Sequence, residues 1–198
     1  MSASGDQSTE VTRRLGEAGA IFEKLARIWR HANLTHRRKQ EIFESCVVSH
    51  LVYGLDSLCL RQAERKRIDA FQAKCLRRVH SIPYSYISRI SNEDVRALAR
   101  FMPLSHIVFD RQLLLYHRLC QLPSISLSRQ VVLGAGGYCP LSFAHRRRRG
   151  RPRLQWSSCV YAHALAAAGS EDALRHVLGT ADRLEWLKVV KSYCLADV

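Results

Sequence analysis

The chain has 198 residues, of which 47% are hydrophobic and 24% are charged, a composition typical of folded globular proteins that excludes wholesale disorder and collagen-like repeats. It carries 31 Lys and Arg against 17 Asp and Glu, a formal net charge of +14 at pH 7, so we expect a polyanionic partner. No apolar run reaches the length of a membrane span and the first ten residues are polar, so we expect neither a membrane-spanning nor a secreted protein.

The first part of the chain predicts three helices. The polar residues 1–10 are expected to form a disordered head, and from there apolar residues recur three and four positions apart, the period of one helix face. The helices are predicted over about 11–31, from a cap at Asn33 or Thr35 to a stop near Gly54, and over about 61–80. Because the connections are short, residues 11–82 should form a compact three-helix bundle.

Three aromatic residues of this bundle allow two interpretations. Phe22, Trp29 and Tyr53 could lie in the core, or they could form an interface whose partner surface is missing. We favour the core.

Residues 83–122 predict additional helices packed on the bundle. Ser91 with Asp94 three residues later is typical of a capping box that begins a short helix ending at Arg100. Residues 104–120 carry apolar side chains on two faces, so that helix should be central or form an interface.

The last part of the chain predicts a loop followed by C-terminal helices. Residues 123–153 contain several glycines and prolines and are expected to form a flexible loop. Residues 154–198 return to helical patterns, with a break and a new cap at Gly169 and Ser170. Since no strand-like alternation is found, we predict an all-α fold: a three-helix bundle, further helices and a basic loop that contains Pro and Gly.

The predicted loop holds the strongest charge cluster. Residues 123–153 include seven arginines and no acidic residue, and six of the arginines are Arg146, Arg147, Arg148, Arg149, Arg151 and Arg153. Guanidinium groups so close together repel one another unless an anion neutralises them, which a phosphate backbone does well. Residues 149–152, Arg-Gly-Arg-Pro, resemble the core of the AT-hook, which places arginines in a narrow minor groove. A nuclear-import signal and a solvated basic loop are the alternatives.

A second basic group is predicted on the bundle. Its members lie on the second and third predicted helices and could form one positively charged surface along a nucleic-acid backbone. The candidates are Arg37, Arg38, Lys39, Lys66, Lys74, Arg77 and Arg78. The alternative is that these long side chains only solvate the helix surface.

Motifs of enzymes are mostly absent from the sequence. It contains no Gly-Lys pair of a P-loop, no G-x-S-x-G and no adjacent aspartates that would hold two catalytic metal ions. Cys139 with His145, or Cys159 with His163, does not complete a four-ligand metal set. The seven cysteines include no C-x-x-C pair and indicate reduced intracellular thiols. We therefore predict no catalytic residues, no metal and no cofactor.

Several pieces of the sequence, in order, resemble the segment that follows the polymerase palm in LINE-type (non-LTR) retrotransposon reverse transcriptases. The pieces are FEKL (22–25) with Trp29, SCVVS (45–49), LVYGLD (51–56), IDAF (68–71), KCLRR (74–78), ISRISN (87–92), RQLL (111–114), RRGRPRLQW (148–156) and Trp186. The similarity covers about residues 11–194. Two positions depart from the family pattern: Asp56 stands where Glu is common, and Leu58 stands where an aromatic residue is usual.

The resemblance implies an all-helical thumb that closes over a template–primer duplex, followed by a helical tail that helps to bind RNA or target DNA. The fingers and the palm with the catalytic aspartates lie outside the similarity, so polymerase chemistry is not expected. We expect a non-catalytic remnant, nuclear or in a cytoplasmic ribonucleoprotein, that binds RNA, DNA or an RNA–DNA hybrid, with a palm-containing polymerase chain as a possible further partner. The alternative is a helical protein-interaction module whose arginine run directs nuclear import.

Overall fold

The computed structural model describes residues 7–133, 137–141, 155–180 and 182–196. Throughout these ranges the regular structure is helical, and the only β contact described is an isolated antiparallel bridge between Leu133 and Pro140. The all-α prediction is therefore confirmed. The helices form two compact units that divide between Val108 and Phe109, inside the segment 83–122.

The first unit includes residues 11–82, the range predicted to form the bundle, together with residues that follow it. Its elements are α1 (Gln7–His31), α2 (His36–Ile42), a π-helical segment (Phe43–Val48), α3 (Ser49–Val52), a 3₁₀ turn (Leu55–Ser57), α4 (Gln62–Val79), α5 (Ser85–Ser88), α6 (Asn92–Ala99) and the start of α7 (Leu104–Cys120). The second predicted helix thus contains a π-helical segment between α2 and α3.

Local capping signals account for several helix ends of the first unit. The Thr35 hydroxyl accepts a hydrogen bond from the Arg38 amide at 3.3 Å and begins α2. Gly54 has φ 73°, a left-handed conformation that glycine adopts without strain, just after α3 ends. The Ser91 hydroxyl accepts from the Asp94 amide at 3.0 Å, which confirms the capping box at the start of α6.

Helix α1 begins at Gln7, four residues before the predicted start. Residues 7–10, which the sequence assigned to a disordered head, are helical and Glu10 and Val11 are buried, while the rest of that expected head, 1–6, lies outside the described residues. The carboxylate of Glu10 accepts from Arg13 Nε at 3.0 Å and from Arg14 Nε at 2.9 Å, contacts one helical turn away that satisfy this buried group. The apolar pattern alone does not reveal this polar first turn.

An aromatic cluster forms part of the core of the first unit. The Phe22 ring meets the rings of Trp29 and Phe43 edge to face, each with its centroid 5.8 Å away. Phe22 and Trp29 are buried, as expected. Tyr53 is 73% exposed, so its expected place in the core is wrong; the Arg14 guanidinium lies over its ring at 5.5 Å.

Helix α7 is capped by a side chain of α4. The Asp69 carboxylate accepts from the Ser105 amide at 2.9 Å and from the Ser105 hydroxyl at 2.7 Å. Gln72 accepts from the Leu104 amide at 3.3 Å and donates to the Met102 carbonyl at 2.7 Å. These contacts satisfy the first backbone groups of α7, which carry the partial positive charge of a helix N-terminus.

The second unit has its own core. Its elements are the rest of α7, α8 (Leu127–Val132), α9 (Trp156–Ala168), α10 (Glu171–Gly179) and α11 (Arg183–Ala196). Trp186 is fully buried and donates its indole N–H to the Leu113 carbonyl at 3.1 Å, and the His117 ring stacks on it with centroids 5.8 Å apart. The apolar faces of α7 are therefore largely covered: Leu104 and Val108 lie in the core of the first unit, and Leu113 lies in that of the second.

Helix α8 lies inside the segment 123–153, which the sequence predicted to be a loop. Its position follows from composition, because residues 124–133 contain neither glycine nor proline. The later break is as predicted: Gly169 ends α9 with φ 80°, and the Ser170 hydroxyl accepts from the Ala173 amide at 3.2 Å. No described helix has the length and apolar character needed to cross a membrane.

Candidate nucleic-acid interface

The predicted arginine run lies outside the described residues. Arg146, Arg147, Arg148, Arg149, Arg151 and Arg153 all belong to it. The candidate site is therefore built from the second predicted group, which lies on the first unit.

Arg37 and Arg38 are exposed on α2 and share one acidic neighbour. Their guanidinium groups lie 3.5 Å and 2.8 Å from the Glu41 carboxylate. The hydrogen bond from Arg38 and the charges of both arginines lower the pKa of Glu41. Such exposed pairs contribute little to stability, so these side chains can exchange Glu41 for another anion at small cost.

An open cleft of about 340 Å³ lies between α1, α2 and α4. Three cationic side chains reach it, one from each helix: Arg30, Lys39 and Arg78. Among the described residues that line the cleft, none carries a carboxylate. The rings of Phe22 and Trp29 form part of its wall, and apolar walls strengthen the attraction between the cations and a bound anion.

Arg78 is held in place by two residues of α1. It donates through Nη1 and Nη2 to the two carboxylate oxygens of Glu23, the second at 3.1 Å, and its guanidinium lies 5.0 Å from the centroid of the Phe22 ring. These contacts orient the group at the edge of the cleft. Its side chain stays about one-third exposed, so it can still reach a ligand.

Glu23 is surrounded by an excess of positive charge. The hydrogen bond from Arg78, and then the charges of Arg78, Lys74 and Arg27, hold its pKa below the usual value. One carboxylate therefore faces three cations. We call the five residues Arg27, Arg30, Lys39, Lys74 and Arg78 the α1–α4 basic surface.

A second cleft, of about 370 Å³, adjoins the same surface. Lys74 and Arg78 line this cleft and also act on Glu23, and Tyr84 is another of the residues that line it. The other described residues that line it are neutral or cationic: Ala70, Arg77, Ile82, Pro83, Ser85 and Asn92.

Arg77 is buried, so the prediction that it lies on the surface of α4 is wrong. Its guanidinium donates to the carbonyls of Pro83 and Ile90 at 3.1 Å and 2.6 Å, and to the Asn92 side chain at 3.1 Å. A buried arginine saturated by such acceptors holds the segment after α4 in place rather than contacting a ligand. Lys66 is exposed about two turns before Lys74.

Two members of the basic surface, Arg27 and Arg30, are absent from the predicted set. Their signal is nevertheless local: Arg27 follows Glu23 by four residues, and Arg30 follows Arg27 by three, which places all three on neighbouring positions of α1. Neither residue lies in a run of Lys or Arg, so the clustering of charge along the chain does not reveal them.

A third cleft is a weaker candidate for an anion. It is lined by Arg37 and Arg100 but also by two carboxylates, Glu41 and Glu44. His80, which lines it as well, has a pKa lowered by burial and by the neighbouring His36. A neutral imidazole adds no positive charge there.

Comparison with protein families, with characterised proteins and with solved structures finds no match for this chain.

The resemblance to LINE-type reverse transcriptases therefore stays a prediction from the sequence. The described residues also hold no group of three His, Cys, Asp or Glu side chains arranged to bind a metal ion. The chemistry that the described clefts offer is the binding of anions by Arg and Lys beside aromatic rings.

Proposed function

We propose that this protein binds nucleic acid through its phosphate backbone, without base-specific recognition and without catalysing a reaction on it. The observation that carries the proposal is the α1–α4 basic surface. Four of its cations line two clefts, and the fifth, Arg27, lies close enough to Glu23, the one described carboxylate among them, to lower its pKa. Such a surface attracts a polyanion, and counterions released from the nucleic acid add to the affinity.

The arrangement of the cations suits a backbone rather than an isolated phosphate. Arg30, Lys39 and Arg78 converge on one cleft, while Lys74 extends the positive charge to the next. Phosphate contacts position a nucleic acid and carry no sequence information. A duplex or an RNA–DNA hybrid of any sequence is therefore the expected ligand.

The resemblance to the thumb and tail of LINE-type polymerases supports the same class of ligand. On this proposal the chain is a thumb-like remnant without the catalytic palm, and the arginine run at 146–153 adds phosphate contacts. A palm-containing polymerase chain is a further partner that the proposal allows. Nuclear localisation belongs to the same proposal.

The test is a fluorescence-anisotropy titration of the full chain with an RNA–DNA hybrid, duplex DNA and single-stranded RNA, each over a salt series. We expect binding whose affinity falls steeply as salt rises, with the hybrid preferred. Replacing the six arginines of the run by Ala should weaken binding to all three ligands. Binding that is independent of salt, or no binding, would overturn the proposal.

A helical protein-interaction module remains a second candidate function because of one observation. Ile125, Leu127 and Val131 are large apolar side chains that are exposed in and just before α8. The specific expectation is self-association through α8: a mass above 22.6 kDa that grows with concentration in sedimentation, and that Leu127→Lys abolishes. A monomer at every concentration would rule this out.

A further inference from the structure

Two exposed tyrosines form a parallel pair at the start of α5. The rings of Tyr84 and Tyr86 have centroids 5.9 Å apart and planes inclined by only 7°. The two residues are 58% and 75% exposed. Tyrosines whose rings stack on each other while most of their surface faces water add little to the core, so a role in binding is the better explanation.

The backbone that carries the pair is fixed on both sides. The buried guanidinium of Arg77 donates to the carbonyls of Pro83, directly before the pair, and Ile90, after it. The Ser88 hydroxyl donates to the Tyr84 carbonyl at 3.2 Å. The rings are therefore presented from an ordered turn, which lowers the entropy lost when a ligand binds.

Positive charge lies beside the pair. Tyr84 lines the same cleft as Lys74 and Arg78, and among the described residues around that cleft none is acidic. Arg78 and Tyr84 are close enough to interact electrostatically. Aromatic rings next to cations are the combination with which proteins bind unpaired nucleotides: the base stacks on the ring and the cation binds the phosphate.

We propose that Tyr84 and Tyr86 form a stacking platform for an unpaired nucleobase, with Lys74 and Arg78 binding the adjoining phosphates. This inference rests on the proposed function, since it concerns the same basic surface, and it extends it from the backbone of a duplex to a single-stranded end. Because every base has a flat face, the platform accepts any sequence.

The experiment compares a blunt duplex with the same duplex bearing a short single-stranded overhang that contains the fluorescent base 2-aminopurine. Wild-type protein should bind the overhang duplex about tenfold more tightly than the blunt one and quench the 2-aminopurine emission. Tyr86→Leu should lose both effects while its affinity for the blunt duplex stays unchanged. Tyr86→Phe should keep both, because stacking needs the ring and not the hydroxyl. RNA and DNA overhangs are tested in separate arms.

The matched control is Tyr53→Leu, which removes an equally exposed tyrosine elsewhere in the first unit. It should leave the overhang preference intact. If wild-type protein binds blunt and overhang duplexes equally, with a steep salt dependence, the platform is wrong while the proposed function stands. If neither duplex binds, both are wrong. Quenching that survives in Tyr86→Leu would also overturn the platform.

Discussion

Arg78 of α4 donates hydrogen bonds from both terminal nitrogens of its guanidinium to the two carboxylate oxygens of Glu23 of α1. The pair joins two helices of the first unit, and it also places the one described carboxylate among the cations of the α1–α4 basic surface. The same contact therefore orients Arg78 and opposes the binding of an anion.

Removing the charge of Glu23 should strengthen binding. Glu23→Gln should raise the affinity for an RNA–DNA hybrid about threefold to tenfold at low salt, since it removes a negative charge from the ligand's path, and the gain should shrink as salt rises. The free energy of unfolding should fall by less than about 1 kcal/mol, because both side chains of the pair are partly exposed to water. Anisotropy titration and urea unfolding measure the two effects.

The control for Glu23→Gln is Glu171→Gln. It removes the same charge from a pair with Arg175, whose Nη2 lies 2.6 Å from the carboxylate, in the second unit. An equal gain of affinity in both variants would show that only net charge matters, and it would contradict the assignment of the surface.

Arg77 should contribute to the free energy of unfolding and should make no contact with the ligand. Arg77→Met removes the donors to the Ile90 carbonyl and the Asn92 side chain and one of the two donors to the Pro83 carbonyl, which should lower the free energy of unfolding by about 2–3 kcal/mol. Arg67→Met is the control, because Arg67 is exposed and its hydrogen bond to the Thr12 hydroxyl is at the surface. Urea unfolding of both variants decides the matter; equal, small losses would contradict the structural role of Arg77.

Asp69 should act as the cap of α7. Asp69→Ala removes the acceptor of the Ser105 amide and hydroxyl and should lower the free energy of unfolding by about 1–2 kcal/mol. Ser105→Ala removes only the hydroxyl contact and should cost less. In the double variant the two losses should not add, which a double-mutant cycle would detect. Full additivity would show that the two side chains act independently.

Glu10 should make the free energy of unfolding depend on pH in the acidic range. Hydrogen bonds from Arg13, and then Arg14, together with their charges, lower the pKa of its carboxyl from 4.5 to about 2. A carboxyl whose pKa is lower in the folded chain stabilises the fold above its unfolded pKa, and this stabilisation is lost as the pH falls from about 5 towards 2.

The pH prediction is measured by urea unfolding of wild type and Glu10→Gln over this range. The variant should be less stable at neutral pH, and the difference should narrow as the pH falls. Arg13→Gln should reduce the pH dependence of the wild type, because Arg13 is the main cause of the shift. A difference that stays constant between neutral pH and pH 2 would refute the role of Glu10.

The parts of the fold that the sequence predicted depend on neighbours in the chain. The cap at Thr35, the capping box of Ser91 and Asp94, and the break at Gly169 each act within one helical turn, so their signals lie within a few residues. The parts of the fold that the sequence did not predict depend on contacts between residues far apart in the chain. The cap that Asp69 provides for Ser105 joins residues 36 positions apart, which no local pattern reveals.

The same distinction explains the errors at the candidate site. Lys74, Arg77 and Arg78 all lie off the apolar stripe of α4, so the helical period alone assigned all three to the surface. Arg77 is buried because the segment after α4 folds back over it and supplies acceptors. The prediction for Tyr53 was wrong for the opposite reason. This aromatic residue near a helix end was expected in the core, but it lies beside Gly54, where the chain turns, and its side chain is exposed.

The central claim is that the α1–α4 basic surface binds the nucleic-acid backbone, and the most direct test is the salt dependence of hybrid binding by Arg30→Gln/Lys39→Gln. The control, Arg175→Gln/Lys188→Gln, makes the same change of net charge at exposed positions of the second unit. The account predicts that the first variant binds at least tenfold more weakly and that its slope of log affinity against log salt falls by about 2, while the control keeps the wild-type slope. Equal slopes in all three proteins, or equal losses in the two variants, would contradict it.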